Sequence, residues 1–188
     1  QTEVERVWEL GQRLGLKGAP GPLLLPLHLY DPHANKKDPH TLGIHISARR
    51  VKQQYPITQW VALIRQLHTS HPTLTFHVFW SPGDSNNPMH PGDDEKAHML
   101  KEALKNIPIE FMPTPNLESL IEGIQTCGSM IMCDGGAMHI AAALNRPIVA
   151  LFGDSNSKRW RPWGVPFRIV QPHTEEVKDI TTSQIIDA

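Results

Sequence analysis

The sequence predicts an α/β domain built on a parallel sheet with helices on both faces. Short β-rich or apolar runs alternate with segments of helical periodicity from Leu42 onward. At this spacing the helical segments serve as right-handed crossovers, which place successive strands parallel in one sheet. The longest apolar runs, such as residues 147–152, are short enough for buried strands. None approaches the roughly 20 residues of a membrane span.

The N-terminal part of the chain precedes this rhythm. Apolar residues at helical spacing predict a helix over residues 3–14. Residues 15–41 are rich in Gly, Pro and His and form a lead-in segment. Its apolar piece, residues 23–27, suits an edge strand at most, because Pro22 and Pro26 cannot donate to a central ladder.

From Leu42 the expected strands and helices alternate. Strands are expected at residues 42–46, 74–80, 109–112, 129–133, 148–152 and 167–170. Helices are expected with a cap at Thr58, from Asp93 or Asp94, with a cap at Asn116, over residues 136–144, and at the C-terminus around Ile180, Ile185 and Ile186. Ligands of such sheets bind beyond the carboxyl ends of the strands, so the loops that follow the strands are the places to look for a site.

Length and composition bound the class of protein. The 188 residues suffice for one large domain or two small ones, and 39% of them are hydrophobic and 20% charged. Eighteen Lys and Arg residues against nineteen Asp and Glu residues give a formal net charge of −1. This balance excludes a nucleic-acid binder that works through bulk charge, and it excludes an acidic disordered chain.

The cysteines and the N-terminus indicate a reducing compartment. Cys127 and Cys133 are the two cysteines of the sequence, so we expect buried free thiols rather than a disulfide scaffold. No basic-then-apolar signal region is present at the N-terminus. Because the sequence opens at Gln1 rather than Met, we expect a longer parent chain.

A glycine turn follows the expected strand at residues 129–133. Asp134 stands at the strand end, Gly135 and Gly136 allow a close backbone approach, and an Ala-rich helix begins there. The unpaired N–H groups of that helix suit a diphosphate, and Asp134 could accept hydrogen bonds from sugar hydroxyls. His139, in the first turn, could reach a phosphate oxygen or a sugar hydroxyl. The alternative is that Asp134 merely caps the helix and the glycines merely make a tight turn.

Three further strand ends carry polar or charged side chains. Ser47, Arg49 and Lys52 follow the first strand and could neutralise a diphosphate or form a solvated basic turn. Asp84 follows the second strand and could bind a ribose diol or stand in a simple Pro-Gly turn. Residues 153–163 combine cations with two Trp residues and could form a stacking surface or a packed lid.

Several motifs of other classes are missing from the sequence. The eleven histidines form no zinc-binding pattern, and we expect no metal site. The sequence contains no P-loop, no G-x-G-x-x-G fingerprint and no G-x-S-x-G elbow. A P-loop NTPase, an ordinary dinucleotide-binding fold and an α/β-hydrolase therefore lose support.

Taken together, these segments resemble the C-terminal half of glycosyltransferase family 9, the family of the ADP-heptose:lipopolysaccharide heptosyltransferases. The resemblance covers about residues 42–188, and its Asp-x-Gly-x-x-His-x-x-Ala-Ala block is fairly specific. The segments that carry it are residues 46–49, Tyr55 with Pro56, Trp60, residues 80–84, residues 134–143, Arg146 with Pro147, and residues 151–153.

The resemblance implies one half of a GT-B fold, in which two Rossmann-like domains enclose a cleft. It implies that residues 42–188 bind the nucleotide-sugar donor and that residues 1–41 are the interdomain helix and lead-in segment. The acceptor domain and the catalytic base are expected outside this chain, so no catalytic residue is expected within it. The implied activity is inverting transfer of a heptose or a similar sugar from ADP-heptose or another nucleoside-diphosphate sugar to a lipopolysaccharide-core acceptor, with no cofactor and no metal.

The resemblance also implies a place in the cell and a set of partners. A cytoplasmic protein is implied, with the full-length enzyme at the cytoplasmic face of the inner membrane. Its partners would be the nucleotide-sugar donor and, through the other domain, a glycolipid acceptor. No nucleic acid and no transmembrane segment are expected.

By position, the resemblance assigns a first group of residues to the nucleotide. Ser47 and Ala48 would line the diphosphate, and Arg49 or Lys52 would supply its cation. Asp84 would meet the ribose.

A second group would complete the donor site. Thr114 and Pro115 would flank the adenine, and Asp134 would bind the donor sugar. The phosphates would be held by Gly135, Gly136, Ala137 and His139.

The chain departs from the family pattern at two places. Gln53 and Gln54 stand where a basic residue is usual, and Gly135 stands where many members have Thr. Two other functions stay open from the residues: a nucleotide-sugar epimerase-like GT-B domain, and a non-catalytic nucleotide-binding module.

Overall fold

A six-stranded sheet, with every strand parallel to its neighbours, runs through the protein in the order β3-β2-β1-β4-β5-β6. The structure is a computed structural model, and it describes residues 1–26, 29, 37–87 and 91–188. The strands are β1 (Asp38–His45), β2 (Thr75–Trp80), β3 (Ile109–Pro113), β4 (Cys127–Cys133), β5 (Ile148–Leu151) and β6 (Phe167–Val170).

Helices connect the consecutive strands, and one further helix lies before the first strand and another after the last. They are α1 (Glu3–Arg13), α2 (Ile57–Ser70), α3 (Asp94–Ala103), α4 (Leu117–Thr126), α5 (Gly136–Ala143), α6 (Ser157–Trp160) and α7 (Thr182–Ile186), with 3₁₀ turns at Val51–Gln53 and Val177–Asp179. The predicted Rossmann-like α/β fold is confirmed, and all six predicted strands are present.

Each face of the sheet packs against its own helices. Buried residues of α2, α3 and α7 form one cluster with Ile44, Phe76 and Val78 of the sheet. Buried residues of α4 and α5 form the second cluster with Phe79 and Met130 on the opposite face. Successive residues of one strand, such as Val78 and Phe79, thus enter different cores, which is the alternation that a sheet covered on both faces requires.

The helix caps follow the sequence in one case and not in another. Asn116 caps α4 as expected, and its side chain accepts a hydrogen bond from the backbone N–H of Ser119. The expected cap at Thr58 is wrong: α2 begins at Ile57 after Pro56, and no side chain caps it. The fixed φ of Pro56 makes the chain turn into the helix, so no hydroxyl is needed one position later.

The N-terminal helix is confirmed, although its apolar side stays largely open. Val7, Leu10 and Leu14 are exposed among the residues that the structure describes. The helix is tied to the rest of the domain by Glu3, whose carboxylate accepts a hydrogen bond from Arg159 Nε at 2.7 Å. Residues 21–26 form no strand, and Leu27, the last residue of the expected edge strand, lies outside the described residues.

Both cysteines are free and buried, as the sequence predicts. Burial raises the pKa of Cys127 and of Cys133 to about 12. In residues 1–26, 29, 37–87 and 91–188, each helix is too short or too polar to cross a bilayer.

Gly153 provides a test of how tightly the segments after β1 and β5 pack. A Cβ at this position would collide with the carbonyl oxygen of Lys52 and lie 3.2 Å from that of Glu175. We expect Gly153→Ala to lower the free energy of unfolding by about 1–3 kcal/mol, because backbone cannot move aside as a flexible side chain can. Denaturant unfolding measures the change.

Gly21→Ala is the matched control for Gly153→Ala. A Cβ at Gly21 would meet nothing within 4 Å. Its unfolding free energy should stay within about 0.5 kcal/mol of the parent. Equal losses in the two variants would contradict the close packing at Gly153.

His45, the last residue of β1, provides a pH-dependent test. Burial lowers its pKa from 6.5 to about 4, against the opposing attraction of Asp93. The unfolded chain therefore takes up a proton below pH 6.5 that the folded chain refuses, so stability present above pH 6.5 is lost as pH falls toward 4. We expect His45→Gln to remove about 1–2 kcal/mol of the loss between about pH 7.5 and about pH 5.

Urea unfolding at the two pH values measures that difference. His71→Gln, at an exposed position, is the control and should keep the full acid loss of the parent chain. An identical acid loss in the parent and in His45→Gln would show that His45 is not held neutral by burial.

Candidate functional site

The candidate site is a cavity of about 600 Å³ at the carboxyl edge of the sheet. It opens beyond β1 and β4, which are neighbours in the sheet but distant in the chain. The chain builds outward from β1 to β3, then crosses to β4 and builds outward in the other direction. The helices on the two sides of this reversal diverge and leave a crevice, which is where open α/β sheets bind ligands.

Four loops line the cavity. They follow β1, β2, β4 and β5, and with α5, α6 and the strand ends they contribute His45, Ser47, Ala48, Arg49, Arg50, Gln53, Ser81, Pro91, Asp93, Cys133, Asp134, Gly135, Gly136, Ala137, His139, Ser155 and Trp160.

The N-terminus of α5 forms one wall. Gly135 precedes the helix, and no side chain caps its first turn. Apart from the adjoining backbone and chain neighbours, no described atom lies within 4 Å of where a Cβ would stand on Gly135 or Gly136, so the backbone here is open to the cavity. The first N–H groups of a helix have no partner within the helix, and they carry the positive end of its dipole. This wall can hold an anion.

Asp134 lies beside that wall and does not cap the helix. Its Oδ2 accepts a hydrogen bond from Ser155 Oγ at 2.6 Å and one from Gln53 Nε2 at 3.3 Å. Its backbone N–H donates to the carbonyl oxygen of Leu151 and so extends the β4–β5 ladder. The capping alternative for Asp134 is therefore wrong, because both of its side-chain partners belong to other loops.

Two guanidinium groups stand at the rim. Arg49 and Arg50 both line the cavity and are exposed. Arg50 also lies 3.9 Å from a carboxylate oxygen of Asp154. Lys52, the other cation that the sequence offered, belongs to the 3₁₀ turn and does not line the cavity.

His139 and Trp160 form an aromatic corner. Their ring centroids are 6.5 Å apart with an interplanar angle of 65°. Burial lowers the pKa of His139, and the negative charge of Asp134 opposes that shift. A neutral His139 can accept as well as donate a hydrogen bond. The guanidinium of Arg159 lies 4.8 Å from the centre of the Trp160 ring.

The structure brings eight of the twelve sequence-predicted residues into one cavity. These are Ser47, Ala48, Arg49, Asp134, Gly135, Gly136, Ala137 and His139. The other four are Lys52, Asp84, Thr114 and Pro115, which do not line it.

Asp84 and Thr114 have partners of their own away from the cavity. Asp84 accepts hydrogen bonds from the backbone and side-chain nitrogens of Asn86 at 2.8 and 3.0 Å. Thr114 donates to the carbonyl oxygen of Trp80 at 2.8 Å, after the outermost strand β3. Since β2 separates β3 from β1, residues that follow β3 lie to one side of the cavity.

Several residues that line the cavity in the structure are not among the twelve predicted from the sequence. Ser155 follows β5, so the strand-end rule alone could have identified it. Gln53 gives no such signal, because an amide in a turn is ordinary in sequence. Asp93 is buried and is ion-paired with Lys96 at 2.6 Å, a contact that depends on where α3 begins.

The described side chains form no cluster suited to a metal ion. Within the described ranges, no three His, Cys, Asp or Glu side chains come together in a way that could hold a metal ion. The cavity offers instead a helix N-terminus, two guanidinium groups and a carboxylate with one oxygen engaged.

Comparison with known proteins gives consistent similarities. Over 72 residues the chain is 33% identical to lipooligosaccharide heptosyltransferase 2 of Haemophilus influenzae, covering 38% of this chain and 21% of that protein. The structure of an E. coli heptosyltransferase with ADP superposes with a TM-score of 0.75 at 17% identity, covering 100% of this chain and 55% of that one. The E. coli heptosyltransferase with ADP-2-deoxy-2-fluoro heptose gives 0.62 at 20% identity, over 79% and 42%.

The chain matches only part of the length of these similar proteins. It spans about half the length of the similar E. coli structure with ADP. Because these identities are below 25%, the structural similarities support the fold alone, and that fold is the Rossmann-like fold described above. The model of glycosyltransferase family 9 (heptosyltransferase) matches residues 4–187, nearly the whole chain, and the chain therefore belongs to that family.

Proposed function

We propose that this chain is the donor-binding domain of an inverting glycosyltransferase that transfers a heptose from a nucleoside-diphosphate sugar to a lipopolysaccharide-core acceptor. One observation carries the proposal: an uncapped helix N-terminus and a carboxylate that does not cap it stand side by side in one cavity. A nucleoside-diphosphate sugar presents the matching pair of groups, a dianionic diphosphate next to a neutral, hydroxyl-rich ring.

The diphosphate would lie at the start of α5. The N–H groups there donate to anionic oxygens, and the helix dipole favours the charge. Gly135 and Gly136 leave the approach open. Arg49 and Arg50 at the rim would neutralise the remaining charge, since a guanidinium can pair with two phosphate oxygens at once.

The donor sugar would lie against Asp134. A carboxylate repels phosphate at short range, so it belongs beside the neutral part of the ligand. It accepts hydrogen bonds from hydroxyl groups, and bonds to a charged acceptor are stronger than neutral ones. His139, in α5, lines the same cavity and would meet either a phosphate oxygen or a sugar hydroxyl.

The similar proteins support the choice of ligand. Two of the similar structures are named as complexes, one with ADP and one with ADP-2-deoxy-2-fluoro heptose. The Haemophilus influenzae relative is named for lipooligosaccharide, which supports an acceptor of the lipopolysaccharide-core type. We propose Asp84 for the ribose and Thr114 with Pro115 for the adenine, at the β2 and β3 side of the sheet.

The chemistry follows from this placement. An acceptor hydroxyl attacks the anomeric carbon from the face opposite the diphosphate, the bond from that carbon to the diphosphate oxygen breaks, and the configuration inverts. The α5 N-terminus and the arginines would stabilise the negative charge that grows on the leaving diphosphate. A general base must take the proton of the acceptor hydroxyl. We propose that this base belongs to the acceptor domain of the full-length protein, at the cytoplasmic face of the inner membrane.

We also propose that two parts of the chain have different roles. Residues 42–188 would bind the donor, and residues 1–41 would form the interdomain helix and its lead-in segment. The exposed apolar side chains of α1 are consistent with a connecting role, since α1 buries none of its residues in this domain.

Asp134→Ala separates the sugar contact from the phosphate contact. We expect it to weaken binding of ADP-heptose by about 10- to 150-fold, the equivalent of about 1.5–3 kcal/mol for hydrogen bonds to a charged group. Binding of ADP should stay the same or become slightly tighter, because a negative charge near the diphosphate is removed. Calorimetric titration of both ligands against both proteins, with thermal unfolding alongside, measures this.

Equal losses for ADP and ADP-heptose would contradict the sugar contact. UDP-GlcNAc serves as a third ligand in the same titrations. If the parent chain binds it more tightly than ADP-heptose, the epimerase-like alternative replaces the heptosyltransferase proposal.

A second prediction concerns which cation meets the diphosphate. Arg49→Gln and Arg50→Gln should each weaken ADP binding by about 1.5- to 5-fold at low salt, the range for an exposed charge pair. Lys52→Gln removes an equally exposed charge outside the cavity and should have a smaller effect. The differences should fade as salt is raised. A loss in Lys52→Gln as large as in the arginine variants would place the diphosphate elsewhere.

A further inference from the structure

The carboxylate of Asp134 is held by its Oδ2 alone within the described part of the chain. Ser155 donates to it at 2.6 Å and Gln53 at 3.3 Å. The amide nitrogen of Gln53 also lies 3.0 Å from Ser155 Oγ, so the three side chains form a closed triangle. They come from three separate segments: the 3₁₀ turn after β1, the end of β4 and the loop after β5.

The backbone at two corners of this triangle, Gln53 and Ser155, is held by hydrogen bonds of its own. The Gln53 N–H donates to the carbonyl oxygen of Arg50 at 3.0 Å, which closes the 3₁₀ turn. Gln171 donates to the carbonyl oxygens of Gly153 and Ser155 at 2.8 and 3.1 Å, which holds the loop after β5.

The two partner segments also touch each other directly. Gly153 packs against the carbonyl of Lys52 so closely that a Cβ would collide with it. The distance between Gln53 and Ser155 is thereby set by backbone contacts and not by the side chains alone.

The buried side-chain amide of Gln53 has a free-energy cost, and packing alone does not explain why an amide stands there. It is 4% exposed, and its Oε1 is buried with no hydrogen-bond partner among the described residues. A buried acceptor without a partner is unfavourable, and an apolar side chain of similar size would avoid it. The amide is used on its other side, where its nitrogen meets Asp134 and Ser155.

We propose that Gln53 and Ser155 are positioning residues that select the donor sugar by locking the Asp134 carboxylate in one orientation. The inference rests on the proposed function, because it takes Asp134 to be the sugar contact. Oδ1 has no hydrogen-bond donor among the described residues, and because Asp134 lines the cavity we take this oxygen to be the one that a ligand hydroxyl would meet. Both donors are neutral, so the carboxylate keeps its full charge for ligand hydroxyls, which a paired cation would share.

The locked carboxylate also lowers the cost of binding. A carboxylate that rotates freely must be ordered when the sugar arrives, and that ordering weakens affinity. A carboxylate already held in place avoids the loss and favours sugars whose hydroxyls match its fixed direction. The effect concerns the sugar and leaves the diphosphate untouched.

Two variants of the 188-residue chain test the inference. Ser155→Ala removes one donor, and Gln53→Met removes the other at similar volume. We expect each to weaken ADP-heptose binding by about 3- to 10-fold, the range for ordering one side chain or losing one hydrogen bond. Binding of ADP should change less than about twofold. Ser155→Thr keeps the hydroxyl and should restore the ratio of the two affinities.

Ser157→Ala is the matched control, at the first residue of α6 and two positions after Ser155. Its hydroxyl donates to Gln171 at 2.6 Å and not to Asp134. It should leave the ratio of ADP-heptose to ADP affinity unchanged. A change in that ratio in Ser157→Ala as large as in Ser155→Ala would overturn the inference, because general loosening of the loop would then explain the effect.

A double-mutant cycle separates positioning from a direct contact. In the Asp134→Ala background, Ser155→Ala and Gln53→Met should cause no further loss of ADP-heptose affinity, because they act through the carboxylate. Losses that add to that of Asp134→Ala would overturn the inference. If Gln53→Met fails to fold in a thermal melt, the Ser155→Ala arm still decides the outcome.

The outcomes distinguish this inference from the function on which it rests. If Asp134→Ala affects ADP and ADP-heptose alike, the proposed function and the inference both fail. If Asp134→Ala is selective while Ser155→Ala and Gln53→Met leave ADP-heptose binding unchanged, the inference alone fails.

Discussion

The pairing of β1 with β4 is the constraint on which the site depends. The two strands are parallel and in register from Leu42 opposite Ser129 to His45 opposite Met132, so they end at nearly the same level. The residues that follow them, Ser47 to Gln53 on one side and Asp134 onward on the other, therefore face each other across the sheet edge. Without that register, Gln53 and Asp134 would not meet.

The sequence predicted the strands well and their lateral order not at all. Each strand is a short run of apolar or β-branched residues, and such runs are recognisable locally. The order β3-β2-β1-β4-β5-β6 depends on which strands pair, and that is decided by contacts far apart in the chain. The end of every parallel strand is therefore an equal candidate from sequence alone, and only the strand order shows that the loops after β1 and β4 face each other, with Asp84, Thr114 and Pro115 outside the cavity they form.

Local contacts also explain where the structure differs from the sequence-based predictions at single positions. The charge of Lys52 makes it a candidate in the sequence, but the 3₁₀ turn brings the neighbouring Gln53 into the cavity and leaves Lys52 out of it. The helix α6 was missed because it has only four residues and depends on Asn156, whose side chain accepts from the N–H of Arg159. A cap on so short a helix is not distinguishable in sequence from a polar loop.

The charge that a ligand would meet in the cavity depends on where individual charged groups lie and how they are paired, not on the net charge of the chain. The chain as a whole carries a formal charge of −1, which gives no general attraction for a phosphate. The positive groups are the exposed arginines at the rim and the helix terminus, while Asp93 has its charge balanced by Lys96 at 2.6 Å. Asp134 differs from Asp93 in that its described partners, Ser155 and Gln53, are neutral.

That difference decides what each carboxylate can do. Asp93 also lines the cavity, but its charge is paired with Lys96 of α3. An Asp held by a hydroxyl and an amide is fixed in position while its charge stays directed at the cavity. A Lys or Arg in place of Gln53 would have paired with Asp134 and drawn a diphosphate toward the same point. In the proposed arrangement, the neutral amide would keep the anion site on α5 and the hydroxyl-binding site on Asp134 separate, although the two are adjacent in the chain.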